Sequence, residues 1–240
     1  MTSATNYVGS SELLGAISVV RTRFAIKRAM DVVLSVLLLV VLAPVLILTA
    51  VAVKIGSRGP VLFKQTRVGS RREIRDSTVL WSGRMFTIYK FRSMVRDADE
   101  TLHRDYIESF VNGGAEDSTA ARSGFKLSHD SRVTLVGKFI RRTSIDELPQ
   151  LFNVLVGDMS LVGPRPVPPY EVDAYGKNQM ERLHAKPGIT GYWQIRGRGV
   201  VPFKEMIEMD VFYSRNHTLL LDLRLLLLTL PAVVWGRGAK

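Results

Sequence analysis

The chain has 240 residues, enough for one good-sized domain or for a smaller domain with a membrane element. Its 33 Lys and Arg against 22 Asp and Glu give a formal net charge of +11, which favours nucleic acid, anionic lipid or phosphorylated substrates as partners. The absence of cysteine excludes disulfides and thiolate catalysis and fits a site facing a reducing cytoplasm. Because no aromatic residues interleave with the basic clusters and no zinc-finger or RNA-recognition signature occurs, we expect no nucleic-acid partner.

The first predicted element is an uncharged apolar segment at residues 32–53. Its length suits a membrane helix better than a core helix or a secretory signal peptide. Pro44 removes a backbone hydrogen bond near the middle and predicts a kink. Because both flanks are basic, the positive-inside rule places both ends in the cytoplasm, and we predict a re-entrant helix-break-helix rather than a single span. Asp31, at the start, is expected to pair with Lys27 or Arg28 or to be solvated.

The rest of the chain predicts a helix-rich α/β fold with short strands and amphipathic surface helices. Alternating polar and apolar residues predict two paired strands at 61–69 and 84–94. The other expected elements are helices at 97–111, 146–156, 170–184, 204–213 and 219–235, a helix or strand at 132–142, a mobile loop at 112–123 and a short strand within 186–194. The last helix contains Asp222, Arg224 and Pro231 in an apolar run, so it is predicted to lie on the membrane surface.

The segment 141–153, RRTSIDELPQLFN, places two adjacent carboxylates at the start of a predicted helix. One interpretation is structural: Ser144 and Glu147 fit a capping box, or Asp146 is the N-cap with Pro149 in the first turn. The other is chemical, because a helix N-terminus attracts anions and a carboxylate beside fixed cations stays ionised. An ionised carboxylate can be a nucleophile or a metal ligand.

Arginines near this segment would supply the anion-binding side of such a site. Arg141 precedes the predicted helix, Arg165 lies between two prolines in GPRP, and Arg198 lies in the glycine-containing loop QIRGRG. Guanidinium groups bind phosphate through paired hydrogen bonds, so the three could converge on one diphosphate. Arg142 and Arg196 are better explained as solvated charges.

Together these motifs resemble the bacterial sugar transferases, the monotopic phosphoglycosyl transferases. The similarity covers residues 27–229 and includes the apolar helix with a central Pro, GPVLFKQTRVG, YKFRSM, GKFIRRTSIDELPQLFNVLVGDMSLVGPRP, KPGITGYWQIRGR and LDLR. That family transfers a sugar-1-phosphate from a nucleotide sugar to a polyprenyl phosphate. The break in the apolar helix departs from the family pattern, because Ala43 precedes Pro44 where a Ser is frequent.

The resemblance implies a role for each matching residue. Asp146 would be the nucleophile and a ligand of Mg2+, the family's metal, and Glu147 would be its partner in a catalytic dyad. Six other residues would bind substrate, namely Arg141, Arg165, Arg198, Asp222, Lys90 and Arg92. The expected partners are a UDP-sugar, with UDP-glucose or UDP-galactose first, polyprenyl (undecaprenyl) phosphate and membrane lipid. The oligomeric state stays open.

The resemblance also implies a domain organisation and a cellular location for the chain. Residues 1–26 would be a polar N-terminal segment, 27–56 the re-entrant membrane helix and 57–240 one catalytic domain on the cytoplasmic face of the bacterial inner membrane.

Two alternatives compete with this reading of the motifs. Asp97 and Asp99 form an Asp-x-Asp that could hold a metal diphosphate in a glycosyltransferase releasing UDP, whereas a phosphoglycosyl transferase releases UMP. The second alternative is a non-enzymatic basic scaffold that binds anionic lipid, but it assigns no function to the segment 146–166.

Overall fold

The computed structural model describes residues 10–75, 78–95, 132–197 and 201–234. The predicted helix at 97–111, the loop at 112–123, the Asp-x-Asp motif and Arg198 lie outside these residues. The predicted helix-rich α/β class is confirmed, since helices alternate with two small two-stranded sheets.

The apolar segment forms the end of one helix and most of a second. Helix α1 spans Ser10–Val41, α2 spans Ala43–Gly56, and the two are bent by 63°. Pro44 lies in the first turn of α2, where its missing amide hydrogen costs least, so the predicted kink is confirmed. Among the described residues, no single helix is long and apolar enough to cross a membrane, whereas the bent pair taken together meets that criterion of length and composition.

The bent pair exposes much of its apolar surface. Exposed side chains on both helices include Val33, Val36, Leu37, Val40, Val41, Val45, Ile47, Leu48, Val51 and Ile55. Its buried positions include polar ones, Asp31, Ser35 and Thr49. Asp31 accepts a hydrogen bond from the amide of Leu161 at 3.1 Å, so the expectation that it would be solvated is wrong. It ties the start of the apolar segment to the globular part of the chain.

A long β-hairpin follows the bent pair. Strand β1 spans Leu62–Arg75 and pairs antiparallel with β2, Thr78–Phe91, from Leu62 opposite Phe91 to Arg75 opposite Thr78. The predicted pairing is confirmed, although both strands extend further towards the turn than their alternation indicated. Isolated bridges from Val68 to Val167 and from Met94 to Val133 join the hairpin region to the rest of the fold.

The remaining elements are mostly short, apart from the last two helices. They are α3 (Leu135–Arg142), a 3-10 turn (Ile145–Glu147), α4 (Gln150–Val156), β3 (Ser160–Val162), α5 (Pro169–Asp173), α6 (Lys177–Met180), a 3-10 turn (Glu181–Leu183), β4 (Gly188–Thr190), α7 (Tyr192–Arg196), α8 (Phe203–Asn216) and α9 (Leu219–Val234). Strands β3 and β4 pair in parallel. The single helix predicted at 170–184 is wrong, because the chain breaks after α5 at Gly176, which has an extended backbone.

Among the described residues, three clusters of buried apolar side chains hold these elements together. The largest draws on the hairpin, α4, β3, α8, α9 and connecting segments, namely Phe86, Ile88, Leu151, Val154, Met159, Leu161, Val162, Ala185, Tyr213 and Leu225. A second joins α2, β2 and α3 through Val53, Phe91 and Ile140, and a third forms around Phe203 and Ile207 of α8. Helix α9 buries Asp222 and Leu225 and exposes Leu220, Leu223, Leu227 and Leu230. This two-sided pattern suits the predicted position of α9 on a membrane surface, which stays a prediction.

Candidate active site

The adjacent carboxylates Asp146 and Glu147 lie in a tight turn and not in an α-helix. They belong to the 3-10 turn Ile145–Glu147, and α4 begins at Gln150 with Pro149 as its N-cap. Ser144 has a φ of 57°, the only positive value at a non-glycine position among the residues described. Neither predicted cap forms, because the strained backbone at Ser144 starts a separate turn ahead of α4.

Cations from distant parts of the chain converge on this turn. The Lys90 ammonium lies 3.0 Å from Glu147 Oε1, and the Arg165 guanidinium lies 3.6 Å from the same oxygen. Arg141, in the last turn of α3, is close enough for its charge to lower the pKa of Asp146. The structure thus brings together five of the predicted site residues, from β2, α3, the 3-10 turn and the GPRP loop.

The electrostatic balance at Asp146 differs from the one expected. Burial and the neighbouring Glu147 charge raise the pKa of Asp146 to about 6, and Lys90, Arg141 and Arg165 offset only part of that increase. Asp146 is therefore still mainly ionised at neutral pH, as expected, although burial and Glu147 outweigh the effect of its cations on the pKa. Burial also lowers the pKa of Lys90, although Glu147 opposes this change.

A small cleft opens beside Glu147. It offers about 10 Å³, room for roughly one water-sized ligand, and Arg67, Gln150 and Gln194 line it together with Lys90 and Arg165. A substrate phosphate would have to replace Glu147 as the partner of the two cations. Sequence reasoning missed Arg67 as a site residue, although its motif FKQTRVG had been recognised; its charge acts on Lys90.

A buried ionic network fixes the backbone next to Arg165. Arg182 is 1% exposed and forms ion pairs with Asp210 and, at 3.2 Å, with Glu171. Asp210 also accepts a hydrogen bond from the backbone amide of Arg165 at 3.4 Å, and the Arg165 carbonyl lies 3.5 Å from Arg182. These residues were not predicted, since nothing in their local sequence distinguishes them from solvated charges.

Two predicted substrate contacts occupy other positions. Arg92 is buried and donates to the carbonyl and hydroxyl oxygens of Ser57, at the end of α2, at 2.7 and 2.9 Å. Asp222 is buried and accepts from Lys27 at 2.7 Å and from the Tyr213 hydroxyl at 2.6 Å. In the structure both side chains therefore join elements of the fold, and neither contacts the dyad.

The described residues contain no group of three or more His, Cys, Asp or Glu that could hold a metal. Mg2+ needs no such group, because it is usually bound by one or two carboxylates together with waters and substrate phosphates. Asp146 and Glu147 offer that donor set, and their mutual repulsion, visible in the raised pKa of Asp146, is what a cation would relieve. The residues thus fit the predicted ion, which stays a prediction.

The structure thus groups a buried Asp146, its neighbour Glu147 and three cations, a set of charges suited to phosphate chemistry. The family model described as bacterial sugar transferase matches residues 22–236. The chain therefore belongs to the bacterial sugar transferase family, and the resemblance noted from its motifs is confirmed.

Individual relatives agree with this membership. The chain is 40% identical over 214 residues to the undecaprenyl-phosphate galactose phosphotransferase of Salmonella typhimurium, covering 89% of this chain and 41% of that protein. It is 40% identical over 225 residues to the undecaprenyl-phosphate glucose phosphotransferase of Komagataeibacter xylinus, covering 89% and 36%. It is 36% identical over 213 residues to the exopolysaccharide production protein ExoY of Sinorhizobium fredii, covering 89% and 87%. The chain thus spans less than half the length of the first two relatives.

Proposed function

We propose that this chain transfers a sugar-1-phosphate from a UDP-sugar to polyprenyl phosphate, giving a polyprenyl diphosphate sugar and UMP as the first step of polysaccharide or glycoconjugate synthesis. The convergence of Lys90, Arg141 and Arg165 on the Asp146–Glu147 pair carries the proposal. Galactose and glucose are the sugars in the names of two relatives, so UDP-galactose and UDP-glucose are the first donors to test.

In the first step, a carboxylate oxygen of Asp146 attacks the phosphorus that bears the sugar. A bond forms between Asp146 and that phosphorus, the bond to the bridging diphosphate oxygen breaks, and UMP leaves with the electron pair. Lys90 and Arg165, now paired with Glu147, would turn to the phosphate oxygens and offset their charge as the carboxylate approaches. Bound Mg2+ would supply further charge neutralisation at the diphosphate.

In the second step, the phosphate oxygen of the polyprenyl acceptor attacks the same phosphorus. The bond from phosphorus to Asp146 breaks, which restores the carboxylate and releases the polyprenyl diphosphate sugar. Two large substrates can thus use one site in turn.

The bent helix pair supports a membrane position for this chemistry. Its exposed apolar side chains need an apolar covering, and lipid supplies one. We infer that the pair is re-entrant from the cytoplasmic face of the bacterial inner membrane, since both flanks are basic and Leu42–Pro44 redirects the chain. The active site would then lie at the level of the lipid phosphates.

The deciding experiment identifies the released nucleotide. Membranes containing the chain are incubated with a panel of UDP-sugars, with and without polyprenyl phosphate. Repeated turnover that releases UMP and requires polyprenyl phosphate supports the proposal, whereas release of UDP would indicate a glycosyltransferase. Without acceptor, one UMP per active chain and a phosphosugar adduct on Asp146, detected by mass spectrometry, are expected; Asp146→Asn should show neither.

A further inference from the structure

A second cavity lies away from the dyad and shares no lining residue with the cleft beside Glu147. Its volume is about 300 Å³, at the lower end of the range for ligand pockets. It is enclosed by α1, by the outer part of the β1–β2 hairpin and by the segments that follow α4 and precede β4. We call it the basic cavity, after its six cationic lining residues, Lys27, Arg28, Arg71, Arg72, Arg84 and Lys186.

The charge in the basic cavity is only partly compensated. Three of its cations have acidic partners, since Lys27 pairs with Asp222 at 2.7 Å, Arg84 lies 3.6 Å from Asp158 and Arg71 lies 3.8 Å from Glu73. The negative charges of Asp31 and Asp158 also act on Lys186. Arg28, Arg72 and Lys186 form no ion pair with the residues that the structure describes: Arg28 donates to main-chain carbonyls at the end of α4, and Lys186 donates to the carbonyl of Gly157 at 2.6 Å. Carbonyl oxygens satisfy hydrogen bonds without cancelling a full positive charge, so an anion would gain from entering.

The cations converge on a common region instead of lining separate walls. A Cβ placed on Gly157 would lie 3.5 Å from a terminal nitrogen of Arg28 and 3.7 Å from Lys186 Nζ. Arg72 stacks on Phe24, with its guanidinium carbon 3.7 Å from the ring centre. Burial, and after it the Arg28 charge, lower the pKa of Lys186; Arg72 adds to this decrease, and Asp31 and Asp158 oppose it.

A buried hydroxyl group lines the same cavity. Ser70 is 6% exposed, and its Oγ makes no hydrogen bond with any residue that the structure describes. Leaving a buried hydroxyl unpaired costs free energy, so a ligand that accepts its hydrogen would be stabilised there. A donor hydroxyl beside converging Arg and Lys side chains is the set of groups that binds a phosphate.

We propose that the basic cavity binds a phosphate group, supplied by the headgroup of an anionic membrane lipid. Phe24, Lys27, Arg28 and Asp31 lie in the two turns of α1 that precede the apolar segment 32–53, so the cavity sits where that segment would leave the lipid. The choice of a lipid source rests on the proposed membrane position of the helix pair; the phosphate site itself does not. Bound lipid would fix the hairpin against α1 while leaving the dyad accessible.

The test is ligand-dependent thermal melting of the purified full chain in a neutral detergent. Phosphatidylglycerol should raise the melting temperature because it binds the folded state, and phosphatidylcholine should not. Lys186→Gln and Arg72→Gln should each weaken this binding about ten- to a hundredfold, the effect of losing one charged hydrogen bond. Lys204→Gln, which removes an exposed positive charge on α8, is the matched control and should bind as the wild type does.

Further melting measurements distinguish the possible sources of the phosphate and the possible binding sites. Ser70→Asp, which adds a negative charge to the cavity, should abolish the shift, and it replaces either other variant if that variant does not melt cooperatively. Arg165→Gln should keep the shift, which locates binding away from the dyad. If inorganic phosphate alone reproduces the shift, the phosphate site is upheld and its ligand is soluble. An undiminished shift in Lys186→Gln and Ser70→Asp, or equal shifts with both lipids, would overturn the proposal.

Discussion

The protonation of Asp146 controls when it can act as a nucleophile. Because the pKa of this carboxyl is raised to about 6, the ionised fraction falls about tenfold for each pH unit below that value. We expect single-turnover UMP release to be flat above about pH 7 and to fall with that slope in acid. Rapid-quench measurements across this range test the expectation, and a rate unchanged down to pH 5 would contradict it.

Removing the Glu147 charge should change the pH at which the rate of UMP release begins to fall. Its charge contributes to the raised pKa of Asp146, so Glu147→Gln should shift the acid limb to lower pH, whatever happens to the maximal rate. The measurement is the same pH profile on the variant. An unmoved midpoint would mean that another group titrates.

Asp146→Asn should abolish turnover and also stabilise the fold at neutral pH. The pKa of Asp146 is higher in the folded than in the unfolded chain, so its stability contribution is full below the unfolded pKa and is lost as pH rises through about 6. Asparagine has no charge to bury. Melting curves should therefore show a higher melting temperature for the variant at pH 7 and a diminishing difference towards pH 4; equal melting at pH 7 would argue against a desolvated carboxylate.

Arg141 and Arg142 provide a matched pair for testing the phosphate contacts. Both lie in the last turn of α3, but Arg142 is exposed, whereas Arg141 is half-buried and acts on Asp146. Arg141→Gln should lower the rate of UMP release about ten- to a hundredfold, as loss of a charged phosphate contact does. Arg142→Gln should be near wild type. Equal losses in the two variants would point to a general effect of charge.

Among the elements, α9 is joined to α1 by one buried ion pair. Asp222 binds Lys27 and Tyr213, and Lys27 also lies 3.3 Å from the carbonyl of Val162. Asp222→Asn leaves Lys27 without its counter-charge and should cost about 3–5 kcal/mol of unfolding free energy. Adding Lys27→Met should recover part of that loss in denaturant titrations. Lost turnover with unchanged stability would instead support the substrate contact predicted for Asp222.

Local patterns predicted those elements whose stability is local. The hairpin followed from alternation, and α8 begins one residue before and ends three residues after its expected bounds. The single helix expected at 170–184 is interrupted at Gly176, and Arg182, which its periodicity places on the solvent face, is buried against Asp210, 28 residues away. Periodicity treats an arginine as exposed, and only tertiary contacts reveal the exception.

The sequence motifs identified most residues of the candidate site, but they did not predict how those residues are arranged in space. Sequence indicated the carboxylate pair and its arginines, yet the 3-10 turn depends on a positive φ at Ser144, which is uncommon for serine. Lys90 reaches Glu147 across 57 residues of sequence. Such pairings arise from how the hairpin packs on the 3-10 turn and α4, which no local pattern encodes.

At the scale of the whole molecule, the re-entrant arrangement predicts that both flanks of the apolar segment face the same side of the membrane. Ser18 and Ser82 are exposed and lie on opposite sides of the apolar segment in sequence. Because the chain has no native cysteine, Ser18→Cys and Ser82→Cys each introduce a single thiol. Neither should react with an impermeant thiol reagent in intact cells, and both should react after permeabilisation. Labelling of the Ser18→Cys protein from outside would show that the segment spans the membrane.

The 63° bend also limits how deeply the helix pair can enter a bilayer. If the bend is shared equally, each helix is inclined about 31° to the membrane plane, and the 14 residues of α2, at about 1.5 Å each, descend only about 11 Å of a core about 30 Å thick. The pair would therefore displace lipid from one leaflet alone. Such a one-sided wedge expands that leaflet against the other, so the protein should prefer membranes that curve towards it, as shallow amphipathic insertions do.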